Sequence, residues 1–243
     1  MSASLKLISL NIERSHHLER VKNFLVSKPL DVLCIQELYR RDVPFLEQIV
    51  GARALYVPMT TYVLETPPEP MGLGIFSRLP VARTESYVYA GNPDVLPELN
   101  QEDPSTWNNK ILSVTFVEVE KDGTRFRLGN THFTWTPDGE PNDLQRTNMK
   151  ALLRVLESRG EFVLCGDFNA PRGKEIWRIL AEKYKDNVPV DVTSTIDPQL
   201  HRAKGLRFVV DGIFSTPSYA VSDVELVEGV SDHKALVATI ARR

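Results

Sequence analysis

Carboxylate, amide and imidazole side chains recur at one kind of place in this chain, the exit of a short apolar run. Asn11 closes LKLISLN, Glu37 follows VLCIQ and His132 ends RFRLGNTH. Asp167 and Asn169 follow FVLCG, Asp211 interrupts RFVVDGIF, and Asp232 and His233 stand just before the last apolar stretch. Taken singly, each Asp or Asn reads better as a turn former or helix cap than as a ligand, because these short side chains bond nearby backbone. Taken together they form a pattern: polar groups at the exits of several strands converge if the strands share a sheet edge. Asp167 and Asn169 are two apart and in extended chain would point to one side. A carboxylate and an amide so placed can orient a water nucleophile and hold a phosphoryl oxygen. The competing reading of GDFNAPRG is a turn entering a helix at Gly173 with Asn169 as its cap.

Asp232 and His233 are adjacent, so in a regular strand they would face opposite ways. A shared site needs irregular backbone there, and the preceding Gly229-Val230-Ser231 allows it. A neutral histidine with a pKa near 6.5 serves as a general base at physiological pH if its tautomer is fixed. Asp211 is the candidate for fixing it, since a carboxylate inside an apolar run is costly to bury alone. Glu37 and Asn11 offer hard oxygen ligands, suited to Mg²⁺, which keeps several waters and takes one or two protein carboxylates. Zinc spacing is missing: Cys34 and Cys165 lie far apart in apolar runs, as buried thiols would, and His16-His17 are adjacent.

These residues need a scaffold of strands. Apolar runs predict strands over 5–10, 32–36, 73–77, 81–89, 111–119, 125–132, 162–166, 207–214, 219–227 and 235–240. Lys121-Asp122-Gly123 carries the Asp-Gly signal of a tight hairpin between the fifth and sixth of them. Helical spacing covers 16–27 with Ser15 as N-cap, 142–159 ending at Gly160, and 173–184, with a short helix over 44–50. Glu65–Met71 and Ala90–Asn109 read as long loops. Strands joined partly by helices and partly by hairpins predict a large mixed sheet, or two sheets face to face, with helices outside.

Composition sets the remaining bounds. The 243 residues hold 29 Lys+Arg and 32 Asp+Glu, for a net charge of −3, with 42% hydrophobic residues. That balance is globular and argues against strong sequence-independent nucleic-acid binding. No apolar run is long enough to span a membrane. The start reads as a first strand rather than a signal peptide, and two cysteines make no disulfide framework, so a cytoplasmic protein with one domain over 1–243 is expected.

The segments LISLNIE, CIQEL, MGLGIFSR, NTHFTW, LCGDFNAP, VVDGIF and VSDHKAL, ordered between Leu5 and Ile240, resemble the endonuclease/exonuclease/phosphatase superfamily. The resemblance implies the deoxyribonuclease I-like fold, a four-layered α/β (α+β) sandwich of two packed mixed sheets flanked by helices. It implies Mg²⁺, or Mn²⁺, held mainly by Glu37 with Asn11 and Asp232 nearby. His233 would contact the scissile phosphate and be oriented by Asp211. Asp167 would position or activate water, Asn169 would bind a phosphate oxygen, and His132 would stabilise the phosphate or assist the leaving group. The resemblance leaves open whether His233 or the Asp167/Asn169 pair is the general base. QELY and NTHF depart from the QETK-like and Tyr-containing segments of abasic-site endonucleases, which weighs against that subfamily.

The expected function is a Mg²⁺-dependent phosphoesterase, a monomer without membrane attachment, attacking a small or nucleic-acid-linked phosphate ester with an activated water. A DNA-repair nuclease or tyrosyl-DNA phosphodiesterase 2-like enzyme is the alternative. It would use a basic groove drawn from Arg40-Arg41, Arg172 with Lys174, and Arg202, Lys204 and Arg207, with Trp107 and Trp135 stacking on a ring. At −3 net charge these basic residues read better as solvated surface. Lys110 stands where relatives often carry Arg, as a site or strand-flanking residue. Asp138 is a looser candidate beside His132, and specificity is expected in Ala90–Asn109 and Trp135–Asn142. A catalytically inactive binding scaffold would be expected to lose the metal Glu or the His, and both are present.

Overall fold

The computed structural model describes residues 3–243. Its elements run β1 Ser4–Asn11, α1 Leu18–Ser27, β2 Val32–Tyr39, α2 Val43–Val50, β3 Ala54–Tyr62, β4 Glu69–Ser77, β5 Val81–Ala90 and β6 Glu98–Leu99. They continue β7 Leu112–Lys121, β8 Thr124–His132, α3 Asp143–Glu157, β9 Val163–Asp167, α4 Glu175–Lys183, β10 Lys185–Asp186, β11 Asp211–Ser215, β12 Tyr219–Val227 and β13 Ala235–Arg242.

One sheet has the order β12-β13-β1-β2-β4-β3-β6, the other β10-β11-β9-β8-β7-β5. Both are mixed: β1 runs parallel to β2 and β8 to β9, with antiparallel neighbours beside them. The unbroken apolar runs of the central strands follow from burial on both faces. In β1 and β2, Leu5, Leu7, Val32 and Cys34 enter the core between the sheets, while Ile8, Leu10, Leu33 and Ile35 face Val21, Phe24 and Leu25 of α1 and Leu46 and Val50 of α2. On the other sheet Met149, Leu152 and Leu156 of α3 and Ile176, Trp177 and Leu180 of α4 close the outer face. The result is the four-layered sandwich, helix–sheet–sheet–helix. No helix among the described residues is long and apolar enough to cross a membrane.

Several expectations need correction. The strand β3 lies outside the expected set, because Pro58 breaks the strand pattern of ALYVPMTTY. The strand tolerates it at a register shift between Pro58 and Thr60, opposite Gly72, where a Cβ would stand 2.1 Å from the Val57 carbonyl oxygen. The loop expected at Glu65–Met71 is shorter, since Glu69–Met71 already pair within β4. The strand expected from Arg207 begins only at Asp211: the Val209 and Val210 carbonyls accept from the Arg172 and Phe168 amides instead of a sheet neighbour. Ser15 does not cap α1, which starts at Leu18; its Oγ accepts the Tyr39 amide. Asn142 does cap α3, accepting from the Gln145 amide at 2.9 Å. The Asp-Gly hairpin forms as expected, with Asp122 and Gly123 both left-handed between paired Lys121 and Thr124.

Candidate active site

Sheet register brings three of the polar residues into one row. His132 pairs with Asp167 across β8–β9, and Asp167 pairs with Asp211 across β9–β11. The loop before β13 is pinned at this end: His233 bridges to Ile196, and the Lys234 amide donates to the Thr195 carbonyl at 2.7 Å. His233 thereby reaches the row, its Nδ1 2.8 Å from Asp211 Oδ2 and its Nε2 3.9 Å from Asp167 Oδ2. Burial works against the imidazolium of His233, yet Asp211, Asp232 and Asp167 outweigh it and raise its pKa well above the ordinary 6.5.

Glu37 does not end its strand as the sequence suggested. β2 continues to Tyr39, and its register against β4 slips between Ile35 and Leu38. At this bulge Glu37 has φ +56°, a left-handed conformation uncommon for a residue with a Cβ. The extra residue sends Gln36 into the core, where its Nε2 donates to Asn130 Oδ1 at 2.7 Å, and leaves Glu37 on the cavity wall. Burial opposes ionisation of Glu37, but His132, Lys110, Arg14 and His233 prevail and hold its pKa at about 2. His132 is itself kept neutral above about pH 4 by burial and by Lys110, so at neutral pH Lys110, Arg14 and His233 sustain the Glu37 charge. The His132 Nε2 stands 3.6 Å from Asp167 and 3.8 Å from Glu37, while its buried Nδ1 has no hydrogen-bond partner among the described residues.

Asn11 is buried behind the cavity, its Nδ2 donating to Asp167 Oδ2 at 3.0 Å and its Oδ1 accepting the Glu13 amide at 3.0 Å. Asp167 Oδ1 accepts the Asn169 amide at 2.8 Å. Asn169 is therefore in a turn (φ +48°), not in extended chain, and both residues line the cavity. Asn169 does not cap α4, whose N-cap is Lys174; its Nδ2 donates to the Phe133 carbonyl. Burial raises the pKa of Asp167, with Asp211 adding to it and His233 and His132 opposing. Burial also pushes Asp232 up to about 7, against His233 and with Glu13 and Glu37 adding to it. Asp232 thus shares a half-enclosed space with two more carboxylates. A divalent cation would relieve that repulsion, and the hard-oxygen donors Glu37 and Asp232 fit one. Asp167, Asp211 and His233 also lie close enough to hold an ion, but the Asp211–His233 hydrogen bond is the geometry of an orienting pair.

The cavity in front of this row has a volume of about 340 Å³. Trp107 and Trp135 meet on its wall edge to face, centroids 5.1 Å apart, with the Trp107 indole N–H bound to the Gln101 carbonyl. Lys110 and Asp138 line it as well, and Lys110 acts on both Glu37 and His132. Among the residues that sequence reasoning missed are Glu13, Arg14, Tyr62, Gln101 and Phe208, all on the cavity lining. His201 lines the cavity as well, its ring 6.3 Å from that of His233. No periodic signal marks these positions, because loops and a strand end from separate parts of the chain bring them together.

Arg172 is not brought to the cavity. It pairs with Asp186 at 3.0 Å and donates to the Val188 and Pro189 carbonyls, each at 2.9 Å, pinning the chain after α4. Arg172→Ala is expected to destabilise the fold by about 2–3 kcal/mol, through lost charge-assisted bonds and a half-buried Asp186 left unpaired. Urea titration measures this. A substrate role would instead appear as a raised KM in an equally stable protein.

Two mixed sheets packed face to face, with carboxylates, amides and imidazoles gathered at one end, define the deoxyribonuclease I-like class of sandwich. The chain belongs to the Endonuclease/Exonuclease/phosphatase family, whose model matches residues 8–233; its members are phosphoester hydrolases. The chain is similar in fold to an endonuclease/exonuclease/phosphatase from Bacteroides vulgatus, at 18% identity and TM-score 0.74, covering 99% of this chain and 100% of that one. It is also similar to D. rerio TDP2 complexed with single-strand DNA product (16% identity, TM-score 0.70, 98% and 99% covered). The human Nocturnin catalytic domain with bound sulfate anion is a third (17% identity, TM-score 0.70, 99% and 94% covered). A comparison with curated proteins gives no match.

Proposed function

We propose that this chain is a Mg²⁺-dependent phosphoesterase that hydrolyses a phosphate ester by in-line attack of water. The observation that carries the reading is the row His132–Asp167–Asp211, closed by His233 and faced by Glu37 across one cavity. Glu37 and Asp232 would hold the cation, with Mn²⁺ as a second choice and Asn11 as a buttress through Asp167 and the Glu13 amide. When bound, the cation supplies neutralisation of charge developing on the phosphoryl oxygens.

The residues divide the remaining work. His233, charged and fixed through Nδ1 by Asp211, presents its Nε2 N–H as a donor to a phosphoryl oxygen. A protonated imidazole accepts no proton, so Asp167 is the better general base, with a pKa raised toward a base's working range by burial. Asn169 and Lys110 contact phosphate oxygens, and neutral His132 attends the leaving group. Trp107 and Trp135 offer a ring-binding wall, which favours an ester carrying a planar group. A nucleic-acid end is therefore the second reading.

An activity screen with Mg²⁺ and with Mn²⁺ tests this, across phosphotyrosyl-DNA, abasic DNA, plain DNA, sugar phosphates, nucleotides and phospholipid head groups. Turnover of at least one class is expected, abolished by EDTA and restored by Mg²⁺. No turnover of any class, with no Mg²⁺ or Mn²⁺ binding by calorimetry, would overturn the reading. Where DNA is the substrate, affinity should fall steeply with ionic strength.

A further inference from the structure

Three consecutive residues after Asn11 and Ile12 are left-handed: Glu13 (φ +44°), Arg14 (φ +55°) and Ser15 (φ +64°). None is glycine, and a residue with a Cβ adopts this conformation only against steric crowding with its own carbonyl. A strained turn persists only where surrounding contacts over-determine it, and those contacts are present. The Glu13 amide donates to Asn11 Oδ1, and Ser15 Oγ accepts the Tyr39 amide from β2.

The turn delivers Arg14 to the cavity wall, on the side of Glu37, Tyr62, Gln101 and Lys110. Its Nη1 donates to the Tyr62 hydroxyl at 2.7 Å and to Gln101 Oε1, and its guanidinium carbon lies 5.2 Å from the Tyr62 ring centroid. The Tyr62 hydroxyl in turn donates to Gln101 Oε1. One edge of the guanidinium is thus anchored, while among the described residues Nη2 keeps only a distant ion pair with Glu13 at 3.6 Å. Burial works against the Arg14 charge, and Glu37 does most to sustain it. Lys110 is close enough that the two cations act on each other. Among the described residues, no carboxylate lies within 4.0 Å of the Lys110 ammonium.

A rigid planar fork with spare donors, next to a second cation in a half-enclosed cavity, matches the oxygens of an anionic group. We propose that Arg14, anchored by Tyr62 and Gln101 and flanked by Lys110, forms a second anion subsite that receives a phosphate neighbouring the scissile one. The subsite presupposes the phosphoesterase reading and narrows its substrates to esters bearing two phosphates. The second phosphate can come from a nucleotide or from a sugar bisphosphate.

Calorimetry on chelator-treated protein, in which no turnover competes, separates these cases. Thymidine 3′,5′-bisphosphate is compared with thymidine 5′-monophosphate, and fructose 1,6-bisphosphate with fructose 6-phosphate. At least one bisphosphate should bind about tenfold or more tighter than its monophosphate, the scale of one charge-assisted contact. The pair that shows the gain identifies the source. Arg14→Ala should erase the gain, Arg14→Lys should fall between, and Gln101→Ala should keep most of it. No gain in either pair, or a gain that survives Arg14→Ala, would overturn the subsite. So would equal losses for mono- and bisphosphate in Arg14→Ala and Gln101→Ala, which would make Arg14 a loop tether. Loss of the gain in Arg14→Ala, in a protein that hydrolyses nothing in the activity screen, supports the subsite and counts against the phosphoesterase reading alone.

Discussion

Asp167→Asn is expected to lower turnover by about 10²–10⁴-fold, the range for removing a positioned acid–base group, while leaving a folded protein. Two effects on stability oppose each other. Asp167 is buried and its pKa is raised from the ordinary 3.8, so ionising it costs folding free energy. Its contribution is most favourable below 3.8 and declines as pH rises through the higher folded value. A neutral Asn escapes that decline. Against this, Asn has one acceptor oxygen where Asp has two, and both are in use: Oδ1 by the Asn169 amide and Oδ2 by Asn11. An amide facing the Asn11 amide loses about 1 kcal/mol. Metal-free Asp167→Asn should therefore melt close to wild type at pH 7, with a weaker fall in stability as pH rises from 4. A loss above about 3 kcal/mol at pH 7 would contradict this account of Asp167, and wild-type turnover would remove it from the catalytic set.

Glu37→Gln should also abolish turnover, yet with the opposite stability signature. Its folded pKa of about 2 lies below the ordinary 4.5. The contribution is then fully present above 4.5 and lost as pH falls from 4.5 toward 2. Linkage bounds it at roughly 3 kcal/mol, and the 21% exposure of the side chain reduces it to about 1–3 kcal/mol. Metal-free Glu37→Gln should be less stable than wild type by that amount at pH 7, with the difference vanishing near pH 2. Wild-type protein should also gain thermal stability with Mg²⁺ concentration, by mass action on the folded state, and the variant should not. Mg²⁺ stabilising both proteins equally would move the ion away from Glu37. The two variants would be similarly inactive but opposite in the sign of their pH dependence, because burial and the Asp211 charge prevail at Asp167, while His132, Lys110, Arg14 and His233 prevail over burial at Glu37.

Much of this arrangement is readable from the chain alone, for a definite reason. Central strands buried on both faces are apolar along most of their length, so VLCIQ and FVLCG declare themselves, and the polar residues that follow mark where apolar packing gives way to the cavity wall. The Asp-Gly turn at 122–123 is equally local, since it needs only two residues that tolerate left-handed backbone. These local signals, with the ordered motifs from LISLNIE to VSDHKAL, sufficed for the family, the two-sheet sandwich and the residues to examine. They were not enough for β3, whose Pro58 is admitted by the missing Cβ of Gly72 on another strand. Nor did they show that Arg172 turns to Asp186, since a basic residue in sequence carries no record of its partner.

What the sequence determined is the set of polar residues at strand exits, because burial and turn formation are properties of short segments. Tertiary structure alone decided which exits meet. The parallel β8–β9 and antiparallel β9–β11 registers align His132, Asp167 and Asp211, the bulge in β2 exposes Glu37, and a left-handed turn presents Arg14. Each depends on pairing between distant segments, whose combined contacts offset local backbone strain that no short stretch of sequence would adopt by itself.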